Sequence, residues 1–238
     1  KGYTFMGRSL PKLNEMIYEG AERVSGTAAM KNYFPFAFSG LTKSKMKRYI
    51  EEKKPDAIVC TIIFSAILLT QLKEAGALNR RIRLYGIVTD YALHPFWEYT
   101  DMDYFVVSNE LMVPSVMLRG IPREKILPTG IPVRECFSTS VSKEEAREKL
   151  GLQKEPLTLL ITSGGRGFGA LGELVAQTDK LDGVQIVAVC GTNFMLKRRL
   201  ESKKFRNVVH IFGYLNNIDE YIDAADAIVT KPGGLSTS

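Results

Sequence analysis

The chain has 238 residues, 45% of them apolar and 24% charged, which supplies apolar material for two cores and excludes long disordered stretches. Its formal charge of +6 is uneven: residues 1–54 carry eleven Lys or Arg against five Glu, leaving 21 residues of each sign in 55–238. Three scattered cysteines and two histidines exclude a disulfide framework and a histidine-based metal cluster, and they fit a reducing, cytoplasmic setting.

The chain opens on Lys1 without a signal-peptide succession and stops abruptly at Ser238, so it reads as an internal piece of a longer protein. The first quarter sets "MKNYFPFAFSG" (Met30 to Gly40) beside "LTKSKMKRYIEEKK" (Leu41 to Lys54). Aromatic bodies next to lysines suit an anionic membrane surface, and a solvated helix face over an ordinary core is the plainer alternative. No helix-turn-helix, zinc-finger or RNA-binding signature points to nucleic acid. The most apolar run, "AIVCTIIFSAILL" (Ala57 to Leu69), falls short of the ~20 residues of a membrane span and reads as a strand running into a buried helix.

From there short apolar runs alternate with helical patterns. Strands are predicted at "DAIVCT", "RLYGIVTD", "YFVVSN" and "KILPTG", then at "LTLLITSGG", "VQIVAVCG", "VVHIF" and "DAIVTKPGG". Near-continuous apolar strands imply burial on both faces and hence parallel sheets. Helices are predicted over "NELMVPSVMLRG", "SKEEAREKLG" and "NIDEYIDAAD", the second with Ser142 as N-cap, Glu145 three residues on and Gly151 as the stop. The expected fold class is α/β, with two doubly wound parallel-sheet domains. Proline and small polar residues in "GIPVRECFSTSVS" place the boundary so that the domains are 1–135 and 136–238.

In open parallel sheets ligands bind beyond the carboxyl ends of strands. After the first strand of the second domain comes "SGGRGFGALGEL", whose glycines let backbone N–H groups approach an anion. A tight turn without ligand is the alternative. Gly167, Gly169 and Gly172 fit a dinucleotide fingerprint, but the next strand ends "AVCG" without the acid that motif needs, and no Gly-Lys-Ser/Thr closes a P-loop. "CGTN", "FGYLN" and "TKPGG" mark three more strand ends on that edge, where Lys231 brings a charge. In the first domain "VTDYALHPFWEY" places Asp90 at a strand end, His94 four residues on, and Trp97, the sole tryptophan. His94 and Asp90 suit an acid/base pair or orienting groups. A merely solvated histidine remains open.

In this order "VTDYALHPFW", "YFVVSNE", "TGIPVRECF", "SGGRGFG", "FGYLNNIDEYIDAADAIVTKPGG" and "LSTS" resemble the monogalactosyldiacylglycerol synthase and processive diacylglycerol glucosyltransferase family, related to MurG-type enzymes. The resemblance implies a GT-B fold of two Rossmann-like domains facing a cleft, both incomplete here. It implies inverting, metal-independent transfer of a hexose from UDP-glucose or UDP-galactose to diacylglycerol, with the UDP-sugar as donor substrate and no cofactor.

On the donor side it places Gly164, Gly165, Arg166 and Gly167 at the diphosphate and Phe212, Gly213 and Tyr214 by the uracil. Lys231, Pro232, Gly233, Gly234, Ser236 and Thr237 continue the phosphate cradle, Gly191 lies near it, and Arg134 reaches the diphosphate. His94, Trp97 and Phe64 fall on the acceptor side, with His94 and Asp90 as catalytic candidates in this chain. The family's main base would precede Lys1, and its ribose-holding acid would follow Ser238. Ile62 and Ile63 stand where the family often has His-Pro, which bears on acceptor choice. The resemblance also makes the first quarter a docking face for an anionic membrane, and the protein peripheral on the cytoplasmic side. The competing readings are a MurG-like transferase acting on a polyprenyl-linked acceptor and an inactive membrane-binding module.

Overall fold

The computed structural model describes residues 40–165, 170–231 and 233–238. The aromatic stretch at 30–39, together with Arg166, Gly167 and Pro232 of the expected phosphate cradle, lies outside the described residues. Two compact units meet at Ile131/Pro132, four residues before the boundary read from the sequence, so Arg134 travels with the second unit.

The first unit begins with α1 (Gly40–Lys53), whose single buried residue is Ile50. Its lysine-rich remainder faces solvent, as a polar helix covering a core along one narrow stripe must. Strands β1 (Ala57–Cys60), β2 (Arg83–Ile87), β3 (Tyr104–Val106) and β4 (Ile126–Leu127) form one parallel sheet in the order β1-β2-β3-β4. Pro128, which has no N–H to donate, limits β4 to two residues. The apolar run after β1 becomes α2 (Ile63–Glu74), with Ala66 to Thr70 and Leu72 buried.

The pattern "NELMVPSVMLRG" predicts one helix and folds as two pieces. Asn109 caps a 3-10 turn at Glu110–Met112 by accepting from Leu111 N at 3.0 Å, and Pro114 then sits in the first turn of α3 (Val113–Leu118). A proline is tolerated there because its missing N–H is one the helix start leaves unpaired anyway.

The second unit repeats the scheme. Helix α4 (Lys143–Leu150) starts where predicted, Ser142 Oγ accepting from Glu145 N at 3.2 Å, and Gly151 ends it at a φ of 66°. Strands β5 (Leu157–Thr162), β6 (Val184–Val189), β7 (Val208–Phe212) and β8 (Ala227–Val229) are all parallel, in the order β7-β6-β5-β8. Helices α5 (Leu171–Thr178), α6 (Phe194–Glu201) and α7 (Ile218–Ala224) connect them, and α8 (Gly234–Thr237) follows β8.

All six residues of β6 are buried, including Gln185, which the strand tolerates because its amide is satisfied. Its Nε2 donates to Gln153 O (2.6 Å) and Thr158 Oγ1 (2.9 Å), and its Oε1 accepts from Gln153 N (3.0 Å). Leu171, Val175, Ile186 and Leu200 form the core on one face of this sheet, and Ala146, Leu160, Val187 and Tyr221 that on the other. Because the chain steps from β5 to β6 and β7 on one side and returns as β8 on the other, the order reverses between β5 and β8. A crevice opens at such a reversal, beyond the carboxyl ends of the strands.

Candidate functional site

The crevice is present in the second unit as a cavity of about 440 Å³. Its upper rim is backbone and hydroxyl: Gly164 and Gly165 after β5, Gly191 after β6, Thr230 after β8, and Ser236 and Thr237 of α8. Its floor is apolar, with Leu160, Val189, Ile218 and Ile228, and Val133, Arg134, Phe137 and Tyr214 close it from the side. Among the described residues no Asp or Glu lines it, so an anion entering meets no opposing charge from them.

The rim is tightly built. Gly164 has a φ of 78° and Gly191 a φ of 56°, both in the left-handed region where a side chain is strained. Thr192 N donates to Gly165 O at 2.9 Å, tying the turn after β6 to the glycine turn after β5. A Cβ on Gly191 would stand 2.4 Å from Gly165 O, so only glycine lets the two turns meet. The Lys231 side chain lies against Gly164, its Cε 3.3 Å from where a Cβ would be, and the Tyr214 ring lies 3.5 Å from the same point on Gly165. Arg134 stacks on Phe137 at 5.1 Å and donates to Asn216 O at 3.4 Å.

Two hydroxyls at the strand ends stand out. Ser163 Oγ and Thr230 Oγ1 are buried without a hydrogen-bond partner. A buried polar atom left unpaired costs about 1–3 kcal/mol, and native structures keep few of them. Thr230 lines the crevice, so its unpaired hydroxyl marks a place prepared for a polar ligand; Ser163, just past the end of the neighbouring strand, does not line it.

The structure therefore brings together Arg134, Gly164, Gly165, Gly191, Tyr214, Ser236 and Thr237, with Lys231, Gly213, Gly233 and Gly234 beside them. Phe212 is set apart: it is half-buried and its ring packs on Tyr221 at 5.1 Å, against the core. Ser163 and Thr230 were not singled out from sequence, although both sit in quoted strand ends. A hydroxyl as the last residue of an apolar parallel strand was the available signal.

In the first unit the candidates divide. His94 is half-buried, and its Nδ1 accepts from Phe96 N at 3.1 Å, capping the 3-10 turn Pro95–Tyr99. Asp90 is exposed, and no hydrogen bond joins it to His94 among the described residues. Trp97, 5% exposed, fills the core: its ring meets Phe105 edge-on at 6.0 Å and closes over Gly86, where a Cβ would stand 2.7 Å from Cζ3. Phe64 joins Ile63, Ile67, Phe96 and Tyr99 in a separate apolar cluster, with the His94 ring 4.6 Å from Phe96. The start of α2 and the His94 turn thus share one apolar surface. Glu98 anchors that turn through a 2.7 Å ion pair with Arg119.

Residues 1–133 match the family model described as monogalactosyldiacylglycerol (MGDG) synthase, and residues 158–237 match the glycosyltransferase family 28 C-terminal domain. Two curated relatives, from Bacillus cytotoxicus and Bacillus cereus (strain B4264), both named processive diacylglycerol beta-glucosyltransferase, are each 32% identical over the whole of this chain. The chain spans 59% of the length of those relatives. Among solved structures, the Anabaena Alr3699/HepE crystal structure in complex with UDP-glucose superposes with a TM-score of 0.52 at 13% identity, covering 79% of this chain and 55% of that one. It shows the fold: two Rossmann-like parallel-sheet units of the GT-B class. The chain belongs to the MGDG synthase family.

Proposed function

We propose that this protein transfers a hexose from a UDP-sugar to diacylglycerol, making a membrane glycolipid. The observation that carries the reading is the acid-free crevice between β5 and β8, with its glycine backbone and the unpaired buried hydroxyl of Thr230. Those groups suit a nucleotide diphosphate, and the apolar floor below them suits the flat face of a base. The names of the curated relatives favour glucose as the sugar and diacylglycerol as the acceptor.

The chemistry follows from the donor. The acceptor hydroxyl gives its proton to a general base as it attacks the anomeric carbon, a new C–O bond forms as the bond to the β-phosphate oxygen breaks, and UDP leaves as an anion. A single displacement on an α-linked UDP-sugar gives a β-glycoside, in keeping with the relatives' names. Backbone N–H groups of the glycine turn, with Lys231 and Arg134, receive the charge that develops on the diphosphate, and being already in place they lower the barrier without reorganising. The Thr230 hydroxyl completes the cradle. The Phe64 and Phe96 surface offers the lipid an apolar flank, and His94 beside it positions the hydroxyl. No cofactor enters the scheme, and transfer persists in the presence of a chelator.

No helix among the described residues is long and apolar enough to cross a membrane. In this reading the protein meets its lipid as a peripheral enzyme on the cytoplasmic face. The test is incorporation of labelled glucose or galactose from the two UDP-sugars into diacylglycerol vesicles by the full-length protein, beside a Thr230→Val variant. The variant keeps the shape of the side chain, so its Tm should hold or rise while donor affinity falls several-fold. Labelled lipid from neither sugar would refute the reading.

A further inference from the structure

Helix α6 and the turn after it form a surface that the donor pocket does not use. Leu196 and Leu200 press one face of the helix into the core, with Phe205 beyond its end. Met195, Arg198, Arg199 and Ser202 fall at the i, i+3, i+4, i+7 spacing of the opposite face. Phe194 is 68% exposed and Met195 76%, side by side at the start of the helix.

Residues 194–206 hold six Lys or Arg against one Glu, within a stretch from 55 to 238 whose charges sum to zero overall. Glu201 is engaged by Lys197, and Arg206 by Asp182. Arg198, Arg199, Lys203 and Lys204 are exposed, and no carboxylate lies within ion-pair distance of them among the described residues.

We propose that this surface docks onto an anionic lipid bilayer, a contact separate from the basic first quarter of the chain. Cations attract the charged headgroups, and the two apolar side chains enter the boundary between headgroup and acyl chain. Charge complementarity selects an anionic partner. The adjacent Phe194 and Met195 select a bilayer over a nucleic acid, because methionine offers no flat face for bases to stack on while both side chains dissolve in lipid.

Position adds a consequence. Asn193 caps the helix by accepting from Leu196 N at 3.1 Å, and it directly follows the Gly191–Thr192 turn that braces the glycine loop. The Phe194 and Met195 end of the docking surface therefore lies at the sheet edge of the pocket mouth, and Lys203 and Lys204 lie at the far end of the helix, toward the start of β7. The lipid acceptor belongs to the proposed function, whereas the charge and exposure of α6 do not depend on it.

The test uses the full-length protein, sedimented with phosphatidylcholine vesicles with and without phosphatidylglycerol. One variant carries Arg198→Gln, Arg199→Gln, Lys203→Gln and Lys204→Gln, and another Phe194→Ser with Met195→Ser. Binding to the anionic vesicles should fall by at least about tenfold for the four-charge variant, with Tm and UDP-glucose binding in lipid-free buffer unchanged. A Phe194→Trp variant should shift its emission to the blue on anionic vesicles and be quenched by brominated lipid.

Unchanged partitioning of both multiple variants, or an emission from the Phe194→Trp variant that is blind to lipid, would overturn the proposal. So would a four-charge variant that loses binding to single-stranded RNA while keeping vesicle binding. Failure of vesicle binding with donor binding intact removes the docking surface alone. Loss of donor binding with partitioning intact removes only the proposed function.

Discussion

Replacing Gly191 by Ala tests whether the contact between two turns holds the donor site. The new Cβ would lie 2.4 Å from Gly165 O, 2.6 Å from Gly165 C and 2.9 Å from Gly164 O. All three are backbone atoms, so no side chain can swing aside. Ordinary contact begins near 3.4 Å, and the glycine turn must retreat by about 1 Å. Retreat stretches the 2.9 Å bond from Thr192 N to Gly165 O, a loss of about 1 kcal/mol. The φ of 56° at Gly191 adds about 1–2 kcal/mol once a side chain is present. Together these give a destabilisation of about 2–3 kcal/mol, or a fall in Tm of roughly 5–10 °C for a chain of this size. A misplacement of ~1 Å at a reacting centre lowers rates by about a hundredfold, and transfer should fall on that scale. Thermal melting with and without UDP-glucose reads the first number, and labelled-sugar transfer the second. For the melting shift Gly213→Ala is the control, since its Cβ would meet nothing closer than Gly191 O at 3.6 Å. A Gly191→Ala protein that melts within about 2 °C of the parent and binds donor within twofold would refute the reasoning.

Arg147→Met strips a buried guanidinium that donates to Ala224 O (3.0 Å), Lys154 O (2.7 Å) and the Asp226 carboxylate. It leaves the carboxylate with fewer partners, and denaturant unfolding should show a loss of about 3–5 kcal/mol. Partial burial works against ionisation of Asp226, but bonds from Lys143 and Thr158 N and the charge of Arg147 outweigh it, holding the carboxyl below its ordinary 3.8. Asp101 is likewise lowered, first by its hydrogen bond from Lys73. Both folded values lie below the unfolded one, so their stabilisation is complete above that value and disappears as pH falls through the folded one. Melting should therefore drop steeply below about pH 4, and Asp226→Asn should be less stable at neutral pH with a flatter acid limb. Burial pushes the Cys60 thiol up to about 11 and raises Cys190 as well, so a thiol reagent should label Cys136, which is half-buried, and spare the other two until the chain unfolds.

The sheets were legible because each strand is an almost unbroken apolar run, and such runs admit few other structures. Strand lengths were less so: Pro128 cuts β4 to two residues and Pro114 restarts a helix that the periodicity draws as continuous. The glycine-marked strand ends pointed to the edge of the second sheet where the cavity opens. What stayed hidden was direction. Nothing in "VVHIF" distinguishes a phenylalanine that lines a pocket from one that packs on Tyr221, and nothing in "HPFWEY" says that the indole turns inward over Gly86. The unpaired state of Ser163 and Thr230 is a property of their surroundings, which spacing along a chain does not encode. Helix α6 escaped notice for another reason: its two core leucines are outnumbered by charges, so it reads as a polar connector.

Strand β8 pairs with β5 over just three residues, and so short an edge is free to slide. What fixes its phase lies immediately before it, where Asp226 accepts from Thr158 N at 2.7 Å and is gripped by Arg147 and Lys143 from α4. Side chains alternate along a strand, so a slip by one residue would turn the Thr230 hydroxyl away from the crevice. The carboxylate thus works as an alignment pin, setting which way a ligand-facing group points from four residues upstream. Weakening that pin should surface first as a donor site that binds loosely, in a protein whose core is still folded.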